Sequence, residues 1–507
     1  MSKLSRFVSS LIYILAPVIF ALSFAISNPV DNDFWWHIAL GRDTALTGQV
    51  VTTDTYSFTA AGAPWYYSGW LPELVMYKAY DIFGYTGVQL LMTGVFLVLL
   101  LAVWKLIHNK SYAVKLLILV VVALMLLPFW TARPRTFSLV CFASSLLVLE
   151  QYVHHNRKIL WLLPPIAVLW TNTHGDYLIS VLLPLLYGGY MVCDVLNQHN
   201  AKYGRIFPLD MTFIHQTESH KKAVWLFVVA VLIVACWVIS PIGVENYKTT
   251  LDFYRSQENA ATYINEWKSP QFHNGWLFYP FLVSLVLVMT GLFLVPQKEK
   301  DATRLLDFAL LVAPLLLSLL AVRAMVYYSI TFALVMGRIG NFKLDIALSG
   351  ANKKLVRMVP VLILLAGSAL LVVGLLPYFK TETFIATEPI PMPHEAVECL
   401  KEYDLPDNYL NSYNQGGYLI YNLPSHKVFI DSRYTIFAQN GSIKDWYRIV
   451  NARDGWEELL DEYRVNTVII EPDWPLVNHL ENAPIWEKVF EEKNAVIFTR
   501  TTPLPLP

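Results

Sequence analysis

Eleven apolar blocks, each near the length that crosses a bilayer, decide what this chain can become. They run roughly over 8–27, 86–106, 113–130, 137–154, 159–172, 177–196, 223–241, 276–296, 306–322, 325–338 and 358–377. A helix needs about 20 apolar residues to traverse the hydrocarbon core, and within lipid only helices and closed barrels satisfy their own backbone groups. The chain has 55% apolar and 15% charged residues, against about 45–50% and about 25% in soluble proteins. It therefore reads as a mostly α, polytopic helical membrane protein of about 11 spans, the fifth and tenth being short.

The first block follows Lys3 and Arg6 and leads into NPVDNDFWW rather than a small-residue cleavage site, which predicts a retained signal anchor. With the N-terminus placed in the cytoplasm, the inner segments hold 19 Lys and Arg, and the outer segments before residue 379 hold 8. That imbalance agrees with the positive-inside rule, so Asp31 and everything after about Phe379 are expected outside. The formal net charge of −1 gives no basic field for nucleic acid, and neither a metal-finger spacing nor a phosphate-cradling glycine loop occurs. Three of the four cysteines, Cys141, Cys193, Cys236 and Cys399, lie inside apolar blocks, which argues for packing rather than disulfides.

Residues 379–507 change character, with 20 Asp and Glu against 11 Lys and Arg. Helical patterns (HEAVECLKEY, GWEELLDEYR) alternate there with β-type runs (KVFIDSRY, VNTVIIEP, WEKVFEEKNAVIFTR). This predicts a small extracytoplasmic α/β domain after a membrane domain over 1–378. Within the membrane domain the first outer loop, 28–85, is far longer than a connector needs, and such loops are usually structured or functional. Its second half spaces Trp70, Leu74, Tyr77 and Tyr80 as an amphipathic helix along the interface.

Outer loops also collect the ionisable residues. DNDFWWHIALGRD brings Asp31, Asp33 and His37 around Trp35 and Trp36; TARPRTFS carries Arg133 and Arg135; NTHGDY carries His174 and Asp176; INEWKSP carries Glu266; AVRAM puts Arg323 inside an apolar stretch. Each has a bland role: helix capping for the aspartates, belt anchoring for the tryptophans, snorkelling for the arginines, plain loop chemistry for His174. Ionisable groups at membrane depth are nevertheless costly and functional by default, and arginine forks suit phosphate oxygens. Acids and arginines sharing one outer cavity suit a chemistry in which arginines hold a lipid phosphate while a carboxylate takes a proton from an incoming hydroxyl. Asp431 and Arg433 in FIDSRY read best as a structural ion pair.

These motifs, with TTDTYSFTAAGAPWYYSGWLPELV and YNQGGYLIYNLPSHKVFIDSRY, resemble a large group of bacterial multi-spanning proteins. In layout that group is similar to the GT-C glycosyltransferases, which include protein O-mannosyltransferases, the lipid A aminoarabinose transferase and oligosaccharyltransferase. The resemblance, over about Asn28 to Arg500, implies a bacterial inner-membrane enzyme using a polyprenyl-phosphate sugar donor and a lipid, glycan or protein acceptor. It matches Asp33 or Asp31 to the catalytic acid of the first loop and Arg323 to a donor phosphate ligand; Arg133 and Arg135 are further phosphate candidates by their own chemistry. His37, Trp36, Glu73, His174, Asp176 and Glu266 are then candidates for acceptor contact or support of the site. Members differ in divalent-metal use, so a metal stays open. The chain departs from the group's pattern at YYSGWLPE, where Ser68 and Gly69 stand in place of a His-Glu pair, with Glu73 one turn beyond. Rival classes are a lipid or solute transporter, or flippase, for which no internal repeat is evident, and a non-catalytic scaffold that binds polyprenyl lipids.

Overall fold

The computed structural model describes residues 30–108, 111–155, 158–200, 218–255, 264–271, 278–294, 304–339, 353–375, 392–403 and 405–505, together with a few positions of the first apolar block. The signal-anchor reading falls mostly outside the described residues. The first complete helix, α1 (Phe34–Thr47), leads through a long loop to α2 (Trp70–Leu106), whose 37 residues would run about 55 Å if straight. Gly84 breaks it with φ 60° and ψ −145°, a conformation open to glycine at little cost. The arm before the break carries Trp70 to Tyr80, and the arm after it has the length of a bilayer crossing.

The remaining apolar blocks form α3 (Tyr112–Leu126), α4 (Pro134–His155), α5 (Leu163–Thr171), α6 (Ile179–Asn200), α7 (Ser219–Cys236), α8 (Val244–Arg255), α9 (Tyr279–Leu294), α10 (Arg304–Leu320), α11 (Met325–Ile339) and α12 (Lys353–Leu375); α8, with no block of its own, is the polar exception. Among the described residues five helices are long and apolar enough to cross a membrane: 70–106, 112–129, 134–154, 175–196 and 219–236. Leu, Val and Phe side chains on α7, α9 and α10 face outward, the pattern of helices solvated by lipid. By contrast α11 buries Met325, Val326, Tyr328, Ile330 and the run Phe332–Val335, which makes it the centre of the bundle. The cysteines are free thiols.

In the C-terminal part, α13 (His394–Glu402), β1 (Tyr409–Asn411), α14 (Gly416–Asn422), α15 (Tyr434–Asn440), α16 (Ser442–Val450), α17 (Trp456–Glu462), β2 (Thr467–Ile470), α18 (Pro475–Glu481), β3 (Trp486–Glu492) and β4 (Ala495–Arg500) surround one sheet of order β1-β2-β4-β3. β1 and β2 are parallel, and the other pairs are antiparallel. The β-type run over 427–434 forms only isolated bridges at Val428: the Phe429 N–H is shared between the Tyr409 carbonyl (3.0 Å) and the Asn411 side chain (2.9 Å), and the Ile430 N–H goes to that side chain (3.3 Å). The first loop is woven into this part of the molecule. Phe58 N–H donates to the Val428 carbonyl and Val428 N–H to that of Tyr56 (3.1 and 3.0 Å), and Ala60 belongs to the core beneath the sheet.

Candidate active site

Two acids open the site at the start of α1. Asp33 is the N-cap residue yet its side chain caps nothing, and the Asp31 Oδ1 accepts the Asp33 N–H at 3.1 Å. The Asp33 carboxylate is thus not consumed by the helix end. Pro134 opens α4, a position where its fixed φ fits and no N–H is lost, and this sets Arg133 at the helix mouth. Arg133 spans both acids, Nε to Asp31 Oδ2 at 2.5 Å and Nη1 to Asp33 Oδ2 at 2.7 Å.

Two further arginines meet a third acid. Glu266 lies in a 3₁₀ turn, Asn265–Trp267, and bridges Arg135 Nη1 through Oε2 and Arg323 Nη1 through Oε1, each at 3.2 Å; Arg133 stands 3.9 Å away. Arg323 sits in the 3₁₀ turn Val322–Ala324 between α10 and α11, its guanidinium 4.3 Å above the Trp267 ring. The two turns are tied by a bond from Val322 N–H to the Lys268 carbonyl, 3.0 Å. Burial lifts the Asp33 carboxyl to about 6, with Arg133 opposing and Asp31 adding to the rise. Burial would raise Glu266 as well, but Arg323, Arg135 and Arg133 outweigh it and hold that carboxyl below the ordinary range. Among the described residues no three His, Cys, Asp or Glu side chains are grouped to hold a metal; the positive charge between Asp31 and Asp33 is Arg133.

No family model matches the sequence, and no curated protein does. Solved structures do match. The apo oligosaccharyltransferase of Archaeoglobus fulgidus superposes with TM-score 0.55 at 12% identity, covering 93% of this chain and 70% of that one. The same organism's oligosaccharyltransferase AglB, in complex with an inhibitory peptide and a dolichol-phosphate, gives 0.55 and 12% over 92% and 70%. ArnT from Cupriavidus metallidurans, bound to undecaprenyl phosphate, gives 0.54 and 12% over 98% of both chains.

The chain has the fold of these oligosaccharyltransferase and ArnT structures.

On this scaffold, Asp31, Asp33, Arg133, Arg135, Glu266 and Arg323 converge from four separate segments. His174 and Asp176 lie beside them but serve as a joint. Asp176 accepts from Ser138 (2.7 Å), Trp170 (2.7 Å) and Tyr327, linking α4, α5 and α11, and its carboxylate stands 3.0 Å from His174 Nδ1. His37, one turn below Asp33, meets Glu73 of α2 through Nδ1 at 2.8 Å, both side chains buried. A His-Glu contact therefore exists although YYSGWLPE lacks the pair. Gly69 has a steric reason: a Cβ there would lie 2.3 Å from the Tyr67 ring and 2.9 Å from Pro134. Trp35 and Trp36 are not membrane-belt anchors, since both are buried. Trp35 packs on Tyr418 and Tyr421 of α14 and Trp36 on Trp65 and Tyr67.

Sequence reasoning missed the contributions from the far end of the chain. Asn414 Oδ1 accepts from Asn32 Nδ2 at 3.1 Å, and Ser432 faces Asp33. The neighbouring Arg433 forks onto Asp431 (2.9 and 2.7 Å) and reaches Asp54 at 2.6 Å, an ion cluster with no side-chain exposure. Its dense, bonded setting makes it structural. In the sequence, the polar residues of NQGG and DSRY are the sign of these contacts.

Proposed function

We propose that the protein is an inverting membrane glycosyltransferase that moves a sugar from a polyprenyl-phosphate donor to a hydroxyl acceptor on the extracytoplasmic face. The observation that carries this is the partition of charge: one arginine locks two carboxylates, and two other arginines stand beside them with a single carboxylate between. Bound undecaprenyl phosphate in ArnT and dolichol-phosphate in AglB support the lipid class.

Asp33 is the base. Both oxygens of Asp31 are engaged, one by the Asp33 N–H and one by Arg133, whereas the Asp33 carboxyl is lifted to about 6, close to the range in which a general base works at neutral pH. Asp33 takes the acceptor's hydroxyl proton as that oxygen bonds to the anomeric carbon. The bond from that carbon to the phosphate oxygen breaks, and the polyprenyl phosphate leaves with the electron pair. Arg135 and Arg323 stabilise the charge that grows on it, a contribution of about 3–4 kcal/mol per well-placed donor. Arg133 holds both acids in orientation. Acceptors enter beneath the roof formed by Asn414 and Ser432.

Mass spectrometry of lipids that co-purify with the wild type and with Asp33→Asn tests this. The variant is expected to retain a polyprenyl-phosphate sugar that the wild type has consumed. Equal product from the two proteins would remove Asp33 from catalysis, and movement of a lipid across proteoliposomes without covalent product would favour transport.

A further inference from the structure

Glu266 is the least settled member of the charge cluster. Charge-assisted N–H···O contacts are ordinarily about 2.7–2.9 Å and often bidentate, and the molecule builds such contacts elsewhere, at Arg133 with Asp33 (2.7 Å) and at Arg433 with Asp431 (2.9 and 2.7 Å). Glu266 instead gives one oxygen to each of two guanidiniums at 3.2 Å, stretched between them. It stands on a three-residue turn rather than a helix, and its side chain keeps 24% exposure, whereas those of Asp31 and Asp33 keep 12% and 14%. The cluster is also closed in charge, Arg133, Arg135 and Arg323 against Asp31, Asp33 and Glu266, so another anion added to it would be uncompensated in a largely buried place.

We propose that Glu266 occupies the seat of the donor's phosphate and competes for it, so that binding a phosphate ester requires Glu266 to leave Arg135 and Arg323. This rests on the assignment of those two arginines to the donor. A phosphate carries more oxygens than a carboxylate and spans two guanidiniums without stretching, and Glu266 is exposed enough to turn into water. The carboxylate acts as an internal stand-in that keeps the arginines together and in orientation when no donor is present, and it sets a threshold that weaker anions do not pass. Because the Val322–Lys268 bond ties the two backbone turns, Arg323 keeps its place when the Glu266 side chain turns away.

The test is the affinity of the full-length protein in nanodiscs for farnesyl phosphate and for inorganic phosphate, in the wild type, Glu266→Gln and Arg323→Ala, with Glu266→Gln combined with Arg323→Ala. If the seat is filled by Glu266 nine-tenths of the time, freeing it tightens binding by about tenfold. Glu266→Gln is therefore expected to bind farnesyl phosphate about tenfold more tightly and to acquire measurable affinity for inorganic phosphate, and the gain is expected to shrink when Arg323 is also removed. Unchanged or weaker binding by a Glu266→Gln protein that melts at the wild-type temperature would overturn the competition while leaving the transferase reading intact. Should Glu266→Gln fold poorly, Glu266→Asp, too short to span both guanidiniums, must show the same tightening or the competition fails. Absence of binding in every protein, the wild type included, would overturn the donor assignment and the competition with it.

Discussion

Asp31 and Asp33 share one guanidinium, yet only Asp33 is lifted to about 6. A base must have lost its proton, so kcat/KM is expected to hold above about pH 6 and fall below it, and a pH–rate profile of the free enzyme reads this limb directly. A limb near pH 4 would assign the base to an unshifted carboxylate. For stability the sign is opposite. A folded-state pKa raised from 3.8 to about 6 means that the native state holds the proton more tightly, so this contribution is full below pH 3.8 and is lost as pH rises through 6. Arg133 opposes the rise. Arg133→Ala should therefore move the acid limb to higher pH as well as lower kcat/KM by about 10²–10³. A fall in rate with an unmoved limb would show that Arg133 does not act through Asp33.

At the scale of elements, α1 and α2 cross in contact because Gly41 leaves room. A Cβ at that position would lie 2.2 Å from the Glu73 carbonyl oxygen and 2.8 Å from the Tyr77 Cβ, and the first of these is backbone that cannot swing aside. Gly41→Ala is expected to cost about 1–3 kcal/mol, seen as a lowered melting temperature, and to separate His37 from Glu73. An unaltered melting temperature would mean that the crossing adapts. Such a contact was invisible in the sequence, whereas the helices were legible: apolar blocks need only length and composition, and those over 113–130 and 137–154 became α3 and α4 almost unchanged, while that over 86–106 became the second arm of α2. The site was half legible. Ionisable residues in apolar surroundings are conspicuous, so Asp33, Arg133 and Arg323 stood out. Tyr67, Asn414 and Ser432 are ordinary loop residues whose importance comes only from what folds against them. The run over 427–434 misled because its β-type pattern is real while the Asn411 side chain takes the Ile430 N–H and shares that of Phe429 with the Tyr409 carbonyl.

Across the whole molecule, the first loop and the C-terminal domain form one body. Arg433, buried among Asp54, Asp431, Tyr56 and Trp65, joins them. Arg433→Ala would leave two buried carboxylates uncompensated, at about 3–5 kcal/mol. It should expose the first loop to limited proteolysis while the membrane helices stay protected; an unchanged cleavage pattern would show that the seam does not depend on this ion cluster. The same seam orders events during synthesis. Thr59 bonds to the Phe429 carbonyl across 370 residues, so at about 5–20 residues per second the first loop waits roughly 20–75 s for its partner to be made. Throughout that interval the apolar side chains of the loop and an unmatched Asp54 stand open to chaperones and proteases, and a chain stopped before residue 429 never closes.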